Sequence, residues 1–119
     1  MDFHEDCDAP GYYICEIKAR APFAGEKVIE AVELLLPVWD TPTLDGRKVA
    51  ARGCVRRSPI SLSVLHRRRL WPLEFHLLRH HTGHTFCSET PMSFPMEQRV
   101  QAHHAALGAA LDAVMKSSS

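Results

Sequence analysis

The sequence predicts an α+β fold, with a small antiparallel sheet of three to five strands and two main helices packed on one face. Two patterns support this class: apolar residues alternate in short segments and recur at helical spacing in two longer ones. With 119 residues, 45% of them hydrophobic, the chain is long enough for one core. Because no Pro-rich or Ser/Gly-rich segment divides it, we expect a single domain over residues 1–119, with flexible ends at 1–10 and 117–119.

The first strand and the first helix follow from these two spacings. Residues 11–19 (GYYICEIKA) favour a half-buried strand, since β-favouring residues alternate between two faces. A helix is then expected from about Ala24 to Leu36, where apolar residues recur every three or four positions and charged residues take the other side. Pro37 does not continue a helix comfortably, so we expect the helix to end before it.

The middle of the chain is less regular. Residues 48–57 predict a strand with a bulge at Gly53. Two structures compete for residues 58–72: Ser58 followed by Pro59 is a typical helix start, whereas apolar residues that alternate with serines favour a strand. We prefer the strand.

The last helix is expected over residues 94–116, with Ser93 as its N-cap. One apolar stripe should face the core, formed by Met96, Val100, Leu107, Leu111 and Val114. Gly108 inside this helix costs about 1 kcal/mol relative to alanine, and we interpret it as a close packing contact. Several alanines widen the apolar surface beyond the stripe, so we also expect a homo-oligomer, in the simplest case a homodimer.

Charge is divided unevenly along the chain, although the formal net charge is zero. Residues 1–46 hold ten acids and three bases, whereas residues 47–119 hold four acids and eleven bases. Three interpretations stay open: a basic surface for an anionic partner, a basic face neutralised by the acidic half, or ordinary solvated charge. Five arginines bracket residues 58–66 and are suited to binding phosphate or carboxylate groups: Arg56, Arg57, Arg67, Arg68 and Arg69.

The densest group of potential metal ligands is HLLRHHTGHTFC, residues 76–87. As a helix, this segment aligns four ligands on one face; as a hairpin turning at Thr82-Gly83, it sets His81 opposite His84. We prefer the hairpin, because Gly83 suits a turn better than a helix interior. The candidate metal ligands are His80, His81, His84 and Cys87. Their spacing matches no specific zinc pattern, so we expect no cofactor, with zinc or another divalent transition metal as the alternative.

A second set of potential ligands lies in HEDCD, residues 4–8. Terminal segments are usually solvated and mobile, so we assign no site to it. The four cysteines form no C-x-x-C pair and indicate reduced thiols in a cytoplasmic protein. No apolar run approaches the roughly 18 residues of a membrane span, so we expect no membrane segment.

No spacing of serine, histidine and acidic residues matches a catalytic motif. The leading hypothesis is therefore a small, soluble, non-catalytic binding or regulatory module that presents a basic surface to an acidic protein or a nucleic acid. The alternative is a metal-dependent enzyme or metal-binding protein that uses the His/Cys cluster at 76–87.

Overall fold

The protein is described from a computed structural model that covers residues 1–44, 46–59, 73–80 and 82–117. Within these residues lie three helices, a four-stranded sheet and a two-stranded sheet, so the predicted α+β class is confirmed. The strands are β1 (Asp2–Asp6), β2 (Tyr13–Lys18), β3 (Thr43–Leu44), β4 (Arg47–Lys48), β5 (Cys54–Arg57) and β6 (His84–Pro91). The helices are α1 (Gly25–Val32), α2 (Leu73–His80) and α3 (Met96–Ser117).

The four-stranded sheet is mixed, with strand order β1-β6-β2-β5. β2 and β6 are antiparallel, but β1 pairs with β6, and β5 with β2, in parallel. The prediction of an antiparallel sheet is therefore wrong. Parallel neighbours need a crossover connection, and α1 lies in the connection between β2 and β5. The sequence alone does not reveal β1. Its pairing partner lies far along the chain, at residues 87–91, so no local pattern marks it as a strand.

β2 is covered on both faces of the sheet. Its side chains alternate, so Ile14 and Glu16 point to one face, which we call the helix face. Tyr13, Cys15 and Ile17 point to the other, which we call the front face. All of these residues are buried except Cys15, which is half-buried. The expectation of a half-buried strand is wrong because β2 lies inside the sheet, between β6 and β5, with packing partners on both sides.

The helix face carries the larger core cluster, which joins Ile14 of β2 and Phe86 of β6 to residues of α1 and α3. α3 enters this cluster through small side chains. Ala102, Ala106 and Ala110 recur every four residues along one side of α3, and all three are buried. The alanines let α3 approach α1 closely.

The apolar stripe predicted for α3 is therefore wrong for three of its five members, whereas Val114 packs against the core cluster and the predicted helix is confirmed. Met96, Val100 and Leu111 were expected in the core, yet each is more than half exposed, at 62, 57 and 53%. Larger side chains would hold the two helices further apart than alanines do, and they lie outside the contact. Gly108 has open space where a Cβ would lie, so it is not a close packing contact.

The front face has a smaller core cluster, formed by Ala9, Tyr13, Leu44 and Val55. Trp39 packs edge-on against Tyr13, with ring centroids 5.4 Å apart. The hairpin of β3 and β4 brings Leu44 onto this face. Apolar packing therefore covers the β2–β5 side of the front face.

Two predicted elements are shorter than expected. The strand predicted over 48–57 is divided into β4 and β5 at Gly53, whose φ of +70° favours glycine and whose Cβ would lie 2.5 Å from Cγ1 of Val38. The helix predicted over 24–36 ends at Val32. Just beyond it, the N–H of Leu35 donates a hydrogen bond to the carbonyl of Val32, three residues earlier, as in a 3-10 turn.

The hairpin predicted around Thr82-Gly83 is wrong. The segment before it forms α2, and the N–H of Thr82 donates to the carbonyl of Leu77 at the end of that helix. Leu73 and Leu77 fit a helix as well as a strand, so a short alternating pattern could not distinguish the two. A strand was preferred for residues 58–72. Residues 60–72 of that segment lie outside the described residues. None of the described helices has the length and hydropathy needed to span a bilayer.

Candidate metal site

Strands β1 and β6 bring His4 and Glu89 side by side, as partners in the parallel register of the two strands. Paired residues of neighbouring strands point to the same face of a sheet, and so do alternate residues of one strand. Asp2 and Cys87, which form another pair two positions earlier, therefore share the front face with them. The β1–β6 side of this face thus gathers an imidazole, a thiol and two carboxylates.

The potential ligand atoms of this group converge. Nδ1 of His4 lies 3.5 Å from Oε1 of Glu89, and the Cys87 thiol donates a hydrogen bond of 3.3 Å to the same oxygen. One nitrogen, one sulfur and one oxygen all lie within 4.8 Å of one another. The Glu89 side chain is 14% exposed and that of His4 is 47% exposed. The group is therefore anchored in the sheet and accessible from one side.

Asp2 orients the ring of His4. Its Oδ2 lies 2.7 Å from Nε2 of His4. In the neutral tautomer that donates its Nε2–H to Asp2, the lone pair of Nδ1 is directed toward Glu89 and Cys87. Metal-binding histidines commonly donate their second ring N–H to a carboxylate in this way, which fixes the ring and makes it a better ligand.

The donor set fits a divalent transition metal. Imidazole nitrogen, thiolate sulfur and carboxylate oxygen are the ligand atoms that zinc takes in proteins. Tetrahedral zinc bonds of about 2.0–2.3 Å place ligand atoms roughly 3.3–3.8 Å apart, and the 3.5 Å between His4 and Glu89 falls in that range. The arrangement can therefore hold an ion without a large movement of these two side chains.

Behind this site, the helix face holds a second polar network. Ser88 and Thr90 flank Glu89, and both hydrogen-bond the ring of His103 on α3, at 2.9 and 3.2 Å. The hydroxyl of Tyr12 lies 2.7 Å from that of Ser88. Burial lowers the pKa of His103 and raises that of Tyr12, so both are neutral near pH 7. The network ties β6 to α3 and fixes the strand that carries Glu89.

Another carboxylate, Glu16, is fully buried on the helix face. Its oxygens accept hydrogen bonds from the N–H groups of Ala24 and Gly25, at 2.7 and 2.9 Å, and one lies 2.6 Å from Nε2 of His84. Burial alone would raise the pKa of Glu16, but these hydrogen bonds and the charge of His84 outweigh it and hold the pKa below its usual value. Because Gly25 begins α1, Glu16 caps that helix.

The structure separates the predicted metal ligands. His80 lies at the end of α2, and His84 points to the helix face. Cys87 points to the front face and joins the group on β1 and β6. His81 lies outside the described residues. Of the three ligands that the structure places, Cys87 alone is part of the convergent group.

The predicted anion-binding arginines are also divided. Arg56 donates to Oε1 of Glu26 on α1 at 2.8 Å and lies over the ring of Phe23, 4.5 Å from its centroid. The acidic half of the chain therefore neutralises Arg56 within the fold. Arg57 points to the front face, in line with Val55. The others, Arg67, Arg68 and Arg69, lie outside the described residues.

Sequence reasoning missed His4 and Glu89 as a pair. The segment HEDCD was recognised as a possible source of ligands, but no local pattern connects it to a strand more than eighty residues later. A signal was present in the two-residue spacings Asp2-x-His4 and Cys87-x-Glu89, since each places two potential ligands on one face of a strand.

Three crystal structures share this fold, and each is described as a "putative metallopeptidase". The protein from Shewanella amazonensis has a TM-score of 0.69 and 22% identity, over 92% of this chain and 38% of its own. That from Shewanella denitrificans has a TM-score of 0.67 and 22% identity, over 92% and 37%. That from Shewanella baltica has a TM-score of 0.69 and 20% identity, over 92% and 38%. No family model and no curated protein matches the sequence.

At this level of identity the likeness establishes the fold, and the chain spans well under half the length of each neighbour. The prediction of a non-catalytic binding or regulatory module is contradicted by these neighbours, which favour the alternative of a metal-dependent enzyme. The predicted ligand cluster of that alternative lay at 76–87, whereas the convergent group in the described residues combines Cys87 with β1. Self-association stays a prediction.

Proposed function

We propose that this chain supplies His4 and Glu89 to a divalent-metal site of an enzyme that hydrolyses peptide bonds. One observation carries the proposal: the His4 ring lies between two carboxylates. Its Nε2 is hydrogen-bonded to Asp2, and its Nδ1 faces Glu89. The metallopeptidase descriptions of the structural neighbours support the same chemistry.

His4 and Cys87 are metal ligands in this proposal, through Nδ1 and Sγ, which lie within 4.8 Å of each other. The hydrogen bond to Asp2 engages Nε2, so Nδ1 is the ring nitrogen that faces Glu89. With nearly half of its side chain exposed, His4 leaves room for a substrate and for water at the ion. A divalent ion held there supplies Lewis-acid chemistry, polarising the carbonyl under attack and making water more acidic.

Glu89 is the proton acceptor. Its carboxylate lies beside His4 and Cys87, where attacking water would be held. A carboxylate in that position takes the proton of the water and can return it to the leaving amine. The network of Ser88, Thr90 and His103 acts indirectly, by holding the strand in place.

A zinc titration followed through the imidazole signals of the histidines tests the metal site. We expect the signals of His4 to shift first, and His4→Ala to abolish that phase of binding. Asp2→Asn should weaken binding by about 10–100-fold, because it removes the carboxylate that orients the ring. The matched control is His104→Ala, an exposed histidine of α3 away from the site. If the signals of His76 and His80 shift first and His4→Ala binds zinc like the unchanged protein, the proposal is wrong.

Glu89→Gln separates binding from catalysis. As the proton acceptor, Glu89 should be dispensable for zinc binding but required for peptide hydrolysis, which we expect to fall by about 10²-fold or more. A variant that hydrolyses peptides at the unchanged rate would exclude the proton-accepting role.

A further inference from the structure

A cavity on the front face lies next to the candidate metal site. It has a volume of about 80 Å³ and opens between the β3–β4 hairpin and strands β2 and β5. The residues that line it are Tyr13, Cys15, Leu44, Arg47, Val55 and Arg57. Since about 10–15 Å³ of such space holds one water molecule, the cavity has room for a short side chain.

The register of the sheet fixes the position of this cavity. Tyr13 on β2 is paired with Glu89 on β6, and Cys15 on β2 is paired with Cys87. Val55 on β5 is paired in turn with Cys15. Neighbouring strands lie about 4.8 Å apart, so the cavity is roughly one to two strand spacings from the metal site. A peptide spans about 3.4 Å per extended residue, so a residue next to the cleaved bond can place its side chain there.

The lining of the cavity combines apolar walls with positive charge. Leu44 and Val55 are buried and form the walls. Arg57 is half-buried at the end of β5, whereas Arg47 is exposed on β4. The described lining includes these two guanidinium groups. Arginine presents planar paired donors that match a carboxylate, and a partly dry setting strengthens such a pair.

We propose that this cavity binds the acidic side chain of a peptide substrate, aspartate or glutamate, beside the bond that is cleaved. The inference rests on the proposed function for its link to hydrolysis, because the metal site defines which bond is meant. The binding of an acidic group depends only on the cavity. Cys15 and Tyr13 connect the two regions, since each lines the cavity and is paired with a residue of the metal site.

A metal-free binding experiment tests the cavity separately from the metal site. N-acetyl-glutamate amide is titrated into the protein in the presence of a chelator, and the backbone signals are followed by NMR. The neutral probe N-acetyl-glutamine amide is the matched ligand, because it has the same shape without the charge. We expect the acidic probe to bind about tenfold or more tightly, with shifts at residues 13, 15, 47, 55 and 57.

Substitution then assigns the charge. Arg57→Gln should remove the preference for the acidic probe, and Arg47→Gln should reduce it. The matched control is Arg52→Gln, an arginine that pairs with Glu33 and lies outside the cavity. Because Arg47 is exposed, its variant decides the matter if Arg57→Gln does not fold.

The two proposals fail differently. Equal binding of the two probes, or an unchanged preference in Arg47→Gln and Arg57→Gln, overturns the acidic cavity and leaves the metal site standing. If zinc does not shift the His4 signals of the unsubstituted protein, the metal site is overturned. If the acidic preference nevertheless holds, the cavity is an anion site whose link to hydrolysis is lost.

Discussion

Each face of the four-stranded sheet carries one histidine–glutamate pair. The two pairs differ in burial, in the distance between their side chains and in their hydrogen bonds. On the helix face, Glu16 is fully buried, 2.6 Å from His84, with further hydrogen bonds from the start of α1. On the front face, Glu89 lies 3.5 Å from a half-exposed His4. The first pair is enclosed by hydrogen bonds within the protein, whereas in the second the His4 side chain is 47% exposed. The same residue types therefore stabilise the fold on one face and form a candidate site on the other.

The largest expected effect is on stability, from the buried pair. Glu16→Ala leaves His84 and two N–H groups of the helix start without their acceptor, so we expect a loss of about 3–5 kcal/mol in the free energy of unfolding. Glu89→Ala is the matched substitution on the front face and should cost about 1 kcal/mol, because its partner His4 is 47% exposed and can be hydrated instead. Chemical denaturation of the two variants measures the difference. Similar losses for both would remove the distinction between the faces.

A smaller effect is expected on the acid sensitivity of the fold. The pKa of Glu16 is lower in the folded protein than its ordinary value of 4.5. Its contribution to stability is therefore fully present above about pH 4.5 and is lost as the pH falls through the folded-state pKa. Glu16→Gln, which cannot titrate, should lose less stability over that acid range than the unchanged protein. Denaturation curves at a series of pH values test this, and parallel pH profiles would contradict the assignment.

The smallest expected effect concerns α3, whose alanine side closes the helix face. Because a Cβ at Gly108 meets nothing within 4 Å, Gly108→Ala should raise the free energy of unfolding by about 0.5–1 kcal/mol through helix propensity alone. Ala106→Leu, on the buried side of the same helix, is the opposite case and should destabilise by about 1–3 kcal/mol through overpacking. Thermal melts compare the two. A destabilising Gly108→Ala would mean that the helix is packed more tightly at that point than the structure indicates.

The sequence predicted the parts of this molecule that depend on neighbours in the chain. Strand β2 and helix α3 were recognisable because their spacing repeats locally. The side of α3 that faces the core was mispredicted, since it depends on how closely α1 approaches, and alanines rank below leucine and methionine as expected core residues. β1 was missed because a charged strand of five residues resembles a solvated end until its partner is known.

The candidate site was unpredictable for the same reason. Its members come from two strands that are far apart in the sequence, and the parallel pairing that joins them leaves no local pattern. The histidine-rich segment 76–87 attracted attention by density, but α2 and the alternation along β6 direct its side chains to different places. A two-residue spacing of potential ligands within a short strand was the weaker signal and the more useful one.

The pairing of β1 with β6 also determines when the site can exist during biosynthesis. Thr90 and the carbonyl of His4, which meet across this pair, are 86 positions apart. At roughly 5–20 residues per second, a ribosome needs on the order of ten seconds to make the intervening chain. During that time His4 has been synthesised and Glu89 has not. Every other strand of the large sheet must be made before the two ligand-bearing strands can join. The candidate site therefore assembles only after β6 has been made.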